Sequence, residues 1–236
     1  MKLQLLEKAG MVVEAVCNSS EPVTLKELAE KLQLPVPTLS RICNDLVELR
    51  WIEKTDYHHF TPGVSLIRFG DNAARLSPYA VAVESLLRDY AVKTGLNGLL
   101  AGYYQGNAFT VLRCAQNNSD EDIFRRSGVL TALLSVSGVS HDDARNELLR
   151  RFPNFSEVEI NTFDREFEKL QFRKLLLRVG ILRQWYITVP FIRGSAGYAL
   201  TFYGQGPKEK SVETVCNEVE HIAGRIVSAW NRISRR

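Results

Sequence analysis

The stretch LPVPTLSRICNDL, Leu34 to Leu46, sets two prolines two residues apart directly ahead of a helical pattern. Leu39, Ile42, Cys43 and Leu46 recur at the three- and four-residue spacing of one helix face. With that face buried, a step of about 100° per residue puts Pro37, Arg41, Asn44 and Glu48 on the far side, flanked by Thr38 and Ser40. Proline suits the first turn of a helix, where its missing N–H has no intrahelical partner in any case. The pattern therefore predicts an abruptly started amphipathic helix. Its polar face either presents its first turn to a partner or is simply solvated.

The flanking sequence favours presentation. Upstream, Thr24 and Glu27 have the spacing of a capping box, and Leu25, Leu28, Ala29 and Leu32 form one apolar stripe. Leu3, Leu6, Val13 and Val16 predict an earlier helix. The residues Gln33 to Val36 form a short turn between the second and third helices. Downstream, Trp51 to Lys54 and Phe60 to Thr61 read as a small hairpin around a turn at Asp56 to His59. Three helices followed by a hairpin make a winged helix-turn-helix, whose second motif helix enters the DNA major groove. Arg pairs bidentately with guanine, Asn with adenine, and Thr or Ser with phosphate or a base. The candidate DNA-binding residues are Thr24, Pro37, Thr38, Ser40, Arg41 and Asn44, with His58 and His59 at the wing tip.

Charge contributes little to this expectation. The chain of 236 residues carries 30 Lys+Arg against 27 Asp+Glu, a net +3. Residues 1–75 hold nine basic and ten acidic side chains, a net −1. Since phosphate contacts dominate DNA affinity, one such domain binds weakly and needs a second copy for avidity.

The rest of the chain is long enough for a second core. A helix is expected over Gly63–Arg75, and a longer one over Tyr79–Thr94 with Val83, Leu86, Leu87 and Tyr90 on one side. Leu96–Tyr104 and Ala108–Cys114 read as strands joined through Gln105-Gly106-Asn107, followed by a polar loop, AQNNSDEDI. Helical patterns cover Leu130–Leu134, Asp142–Arg151 and Asn161–Arg178. Strands Trp185–Arg193 and Gly197–Tyr203 flank a turn at Gly194, and a final helix runs from about Glu209 to Ile233. The expectation is an α+β chain: a winged helix-turn-helix with linker helix over 1–75, and an α/β domain with an antiparallel sheet over 76–236.

Two segments, TLKELAEKLQLPVPTLSRICNDLVEL and WIEKTDYHHFTPGVSLIRFG, resemble the IclR family of bacterial transcriptional regulators. The pattern is carried by Leu28, Ala29, Leu34, Pro35, Thr38, Arg41 and Leu46. The sequence departs from it at Val36 and Pro37, where a basic and a small polar residue are usual, at Ser40 in place of His, and at Arg50 in place of a turn glycine. The resemblance implies a GAF-like effector domain in the second half, and a homodimer or tetramer that binds double-stranded operator DNA. RRSGVLTALLSVSGVS from Arg125 is similar to the family stretch bordering the effector pocket, through Gly128 and Gly138, with Val139 where a Lys is usual. RVGILRQWYITVPFIRGSAGYALTFYG from Arg178 is similar to a later stretch, through Gly180, Pro190 and Gly204. By this resemblance a small carboxylate effector meets Gly138, Gln184, Tyr186, Thr201 and Tyr203.

Other chemistry finds no support in the residues. The four cysteines, Cys17, Cys43, Cys114 and Cys216, form no C-x-x-C pair and are expected as buried thiols. No nucleophile–base spacing, P-loop or H-E-x-x-H appears, and DED at Asp120–Asp122 reads as a solvated acidic loop rather than a metal site. Neither catalysis, a metal nor a cofactor is expected. Glu7 and Glu14 interrupt any signal-peptide core, and no run approaches the roughly 18 apolar residues of a membrane span. The expected compartment is the cytoplasm, so the sequons at Asn117 and Asn154 are chance matches. The expected function is a DNA-binding regulator, a repressor under effector control. Two alternatives stay open: a ligand-independent DNA-binding protein whose C-terminal domain only oligomerises, and a binding module whose helix-turn-helix no longer touches DNA.

Overall fold

The computed structural model describes residues 2–19, 21–56, 58–104, 106–114, 120–180 and 184–233. It divides into two compact units, Met1–Ser77 and Pro78–Arg236.

In the first unit, α1 (Lys2–Cys17), α2 (Leu25–Leu32) and α3 (Val36–Glu48) surround a core of Val12, Val16, Leu28, Leu39, Ile42, Cys43 and Leu46. The capping box is formed: Thr24 accepts from the Glu27 backbone N–H, and the Glu27 carboxylate takes the Thr24 N–H. Gln33 ends α2 in the left-handed region, at φ 51°. Pro35 is the N-cap of α3, so Pro37 is its second residue and the turn is one residue shorter than expected.

The wing is β2 (Ile52–Lys54) paired with β3 (His59–Pro62), and it contains a third strand that the sequence did not announce. Val23 and Thr24 form β1, which pairs with Phe60 and His59, giving the order β1-β3-β2. Two residues are too short for an alternation pattern, so only the partner strand reveals β1. After Gly63 the chain continues as α4 (Val64–Leu76).

In the second unit, five antiparallel strands run in the order β5-β4-β8-β7-β6: β4 (Asn97–Tyr104), β5 (Asn107–Cys114), β6 (Leu176–Val179), β7 (Gln184–Arg193) and β8 (Ala196–Gln205). Alternation sends Leu100, Trp185, Ile187, Val189, Leu200 and Phe202 to one face. There α5 (Pro78–Thr94) and α10 (Val212–Ile233) cover them. Leu99, Ala101, Tyr103, Ala199 and Tyr203 point to the other face, toward α7 (Val129–Val136). Residues 129 to 134 of α7 are all buried, because α8 (His141–Arg151) and α9 (Glu157–Phe172) enclose its outer side.

Three expectations need correction here. The helix predicted over Asn161–Arg178 starts earlier, behind a capping box at Ser156, and stops at Phe172. The next element is β6, paired with β7 through Leu176↔Thr188 and Val179↔Trp185. A short apolar run such as LLLRV suits either period, and pairing decides; Leu176 then packs on one face and Leu177 on the other. Part of the polar stretch, residues 115–119, lies outside the described residues, as does Gln105. From Asp120 the chain is helical, as α6 (Asp120–Arg126), with Ile123 and Phe124 buried. Finally, of the four cysteines only Cys43 is buried; Cys17 is exposed, and Cys114 and Cys216 are intermediate. No helix among the described residues is long and apolar enough to cross a membrane.

Candidate DNA-facing surface and effector region

Helix α3 buries Leu39, Ile42, Cys43 and Leu46 and leaves Pro37, Arg41, Asn44 and Glu48 exposed, with Thr38 and Ser40 half-buried. The Arg41 guanidinium makes no hydrogen bond or ion pair among the described residues, so its five donors are available to a partner. Asn44 differs: its Oδ1 accepts from Lys54 Nζ of β2 at 3.3 Å. Lys54 Nζ also lies 5.7 Å from the Phe60 ring centroid. The wing lysine thus reaches the α3 face, a placement that the sequence reading missed. Its signal was available in the hairpin register, which sets Lys54 opposite Phe60.

Two sequence candidates have other work inside the protein. The Thr24 hydroxyl donates to Glu27 Oε2 (2.9 Å) and accepts from the Glu27 N–H (3.2 Å), so the cap occupies it. The Thr24 backbone hydrogen bond to the Glu27 carboxylate, with the side-chain bond, holds that carboxyl below its usual range. Pro37 lacks an N–H, so the first turn of α3 offers a phosphate the amides of Val36 and Thr38 but none between them. At the wing tip Asp56 organises the turn. Its Oδ1 accepts the backbone N–H of His58 (2.8 Å) and of His59 (2.9 Å), and His59 Nδ1 lies 2.8 Å from both carboxylate oxygens. These bonds, the His58 amide first, pull the Asp56 carboxyl down to about 2. His59 is therefore tethered and half-buried, whereas the ring of His58 is exposed.

In the second unit the predicted effector residues separate. Gly138, at φ +72° after α7, is exposed, and Gln184 opens β7 opposite Gln205. Tyr186, Thr201 and Tyr203 share the sheet face under α7. Thr201 and Tyr203 are 0% and 1% exposed, while Tyr186 is half-buried, its ring stacked on that of Tyr203 at 6.4 Å. Thr188, absent from the sequence candidates, joins them: its hydroxyl donates to Ser127 O (3.3 Å) and lies 3.0 Å from the Thr201 hydroxyl. Period two along β7 carries this signal, since Thr188 follows Tyr186 by two and pairs with Thr201. At the edge of this face, Arg178 binds the Glu166 carboxylate (2.8 and 2.5 Å) and the carbonyls of Arg125 and Arg126 (3.1 and 2.9 Å). Gly128 suits its position there because φ is +72°, where a side chain is strained, and a Cβ would also press on the Leu176 Cδ2 methyl at 2.4 Å.

Known proteins share this architecture. Residues 5–56 match the IclR helix-turn-helix domain. No curated protein matches the chain significantly. An IclR-family transcriptional regulator from Brucella abortus superposes with a TM-score of 0.66 at 17% identity, covering 95% of this chain and 91% of its own. An IclR homolog from Microbacterium hydrocarbonoxydans, in complex with 4-hydroxybenzoate, gives 0.55 at 16%, covering 97% and 99%. A transcriptional regulator of the same kind from Alicyclobacillus acidocaldarius gives 0.53 at 16%, covering 98% of each chain. The first unit therefore contains an IclR-type helix-turn-helix domain, and the chain as a whole has the fold of the IclR-family transcriptional regulators.

Proposed function

We propose that this protein is a DNA-binding transcriptional regulator, a repressor whose operator binding responds to a small organic acid in the second domain. The observation that carries the DNA half is the exposed face of α3. It sets Arg41 and Asn44 outward on a helix whose opposite side is fully buried, with Lys54 of the wing beside them. Arg41 reads a base edge, while Thr38, Ser40 and Lys54 fix the register on the backbone. Because the first unit lacks positive charge, two copies act together. Exposed apolar side chains on α1 (Leu5, Leu6, Met11) and α4 (Val64, Ile67, Leu76) supply surface for a homodimer. The 4-hydroxybenzoate held by the Microbacterium protein supports the carboxylate class of the effector. Binding it biases the spacing of the two DNA-reading heads.

The test is binding of fragments from upstream of the gene at two salt concentrations. A sequence-preferring complex that weakens as salt rises supports the reading, and its absence ends it. A second reading has its own observation: Thr201 and Tyr203 are fully buried and Tyr186 stacks on Tyr203, so side chains occupy the sheet face where an effector is expected. In that case the second domain only oligomerises. Thermal unfolding against a panel of small carboxylates separates the two, since an effector raises the midpoint and a ligand-independent domain shows no shift.

A further inference from the structure

Helices α5 and α10 cover the sheet face opposite α7, and between their outward ridges runs a cleft of about 530 Å³. The helices are antiparallel. Trp230 Nε1 donates to Tyr79 O (3.1 Å) at one end, and the Tyr90 hydroxyl donates to Glu218 Oε2 (2.8 Å) at the other. A second hollow of about 590 Å³ continues the first, sharing Leu86, His221 and Arg225. The volume lies in the range of small-molecule sites, roughly 300–1,000 Å³.

The lining divides into an apolar floor and a basic end. Leu86, Tyr90 and Ile222 form the floor; Tyr90 and Ile222 are buried, and Leu86 is half-buried. Of the two carboxylates, Glu218 is matched by Lys210 Nζ (2.6 and 2.7 Å) and by the Tyr90 hydroxyl, while Asp89 accepts from the Ser85 hydroxyl at 3.4 Å. The cations Lys93 and Arg225 and the His221 imidazole make no hydrogen bond or ion pair among the described residues. Lys93 stands near the Glu218 end. Arg225 lies seven residues along α10 from Glu218, about 10 Å at helical rise, and one turn from His221. The uncompensated positive charge therefore lies at Arg225, next to the apolar floor, with the His221 imidazole one turn away.

We propose that this cleft is a second ligand site, for an apolar organic acid. The carboxylate takes the guanidinium fork of Arg225 and an N–H of His221, and the flat body lies on Leu86, Tyr90 and Ile222. The site is separate from the sheet-face region under α7, because the whole sheet stands between them.

Isothermal titration of the full chain with 2-naphthoate, 2-naphthamide and 2-naphthylmethylamine tests this. Naphthoate binds, the neutral amide binds at least about tenfold more weakly, and the amine does not bind. The double variant Arg225→Gln/His221→Gln weakens naphthoate at least about tenfold with an unchanged unfolding midpoint, since both side chains are exposed. No naphthoate binding at millimolar concentration, unchanged affinity in the double variant, or preference for the amine would each overturn the proposal. DNA binding by α3 is scored in a separate assay, so neither result stands in for the other.

Discussion

Lys54 of the wing donates to Asn44 Oδ1 of α3 at 3.3 Å, joining two exposed side chains from the two elements that face DNA in a winged helix-turn-helix. An ammonium can only donate, so the bond fixes which way the Asn44 amide points and leaves Nδ2 directed elsewhere. On the proposed DNA-reading role of α3, an Asn44 amide held in place before DNA arrives loses less entropy on binding.

This coupling is measurable as a cycle of Asn44→Ala, Lys54→Ala and the double variant on operator DNA. The singles each weaken binding, and the double costs less than their sum by about 0.5–1 kcal/mol. Lys54→Ala also flattens the salt dependence, which Asn44→Ala leaves alone. Additive losses would show the two residues to be independent.

Arg41 makes no hydrogen bond or ion pair among the described residues, so Arg41→Ala leaves unfolding by urea unchanged while operator affinity falls by about 1–3 kcal/mol and specificity relaxes at one base pair. Electrophoretic mobility shifts on single-base operator variants locate that base pair. A uniform loss across all sequences would instead place Arg41 on a phosphate.

Gly63 sits where α4 leaves the wing, and a Cβ there would lie 2.3 Å from Arg50 O and 2.7 Å from its carbonyl carbon. Both neighbours are backbone and cannot swing aside, since Gly63 N–H bonds Trp51 O at 2.8 Å and Ser65 N–H bonds Arg50 O at 3.0 Å. Gly63→Ala therefore destabilises the first unit by about 1–3 kcal/mol. Arg50 itself holds φ +56°, where side chains are strained, so Arg50→Gly is close to neutral or stabilising in the same urea titration.

The wing turn carries an acid dependence. Asp56 has its folded-state carboxyl pulled down to about 2 from an ordinary value near 3.8. A depressed carboxyl stabilises above its unfolded value and loses that stabilisation as pH falls through the folded one. Wild type is accordingly more stable than Asp56→Asn above about pH 4, and the two converge as pH approaches 2. Denaturation at a series of pH values checks this; a constant gap would remove the carboxylate charge from the account.

Under α7, the Thr201 hydroxyl meets Thr188, which donates onward to Ser127 O. Thr188→Val breaks this buried chain and costs about 1–3 kcal/mol, while Thr188→Val/Thr201→Val costs less than the two singles added. Chemical denaturation of the four proteins reads the coupling.

The capping box, the α3 stripe, the four long strands of the second unit and the terminal helix were legible because each has a local cause. Thr24 and Glu27 satisfy one another within three residues. The spacing of Leu39, Ile42, Cys43 and Leu46 describes one face whatever lies against it. Elements whose existence depends on a partner strand stayed hidden: β1 has two residues, and β6 carries an apolar run compatible with either period. At the candidate surfaces, residue types were readable but their engagements were not. Nothing local distinguishes exposed Arg41 from Thr24, whose hydroxyl is taken by its cap, or His58 from the tethered His59.

From its sequence alone, then, this chain determined where most helices and strands start and which side of α3 is apolar, since propensity, capping and periodicity act over a few residues. Tertiary structure decided the rest. It set Lys54 against Asn44 and closed Thr201 and Tyr203 beneath α7. It also brought Arg225 and His221 beside an apolar floor shared by α5 and α10. In the second unit those juxtapositions join residues up to well over a hundred positions apart, and only packing on the sheet faces brings them together.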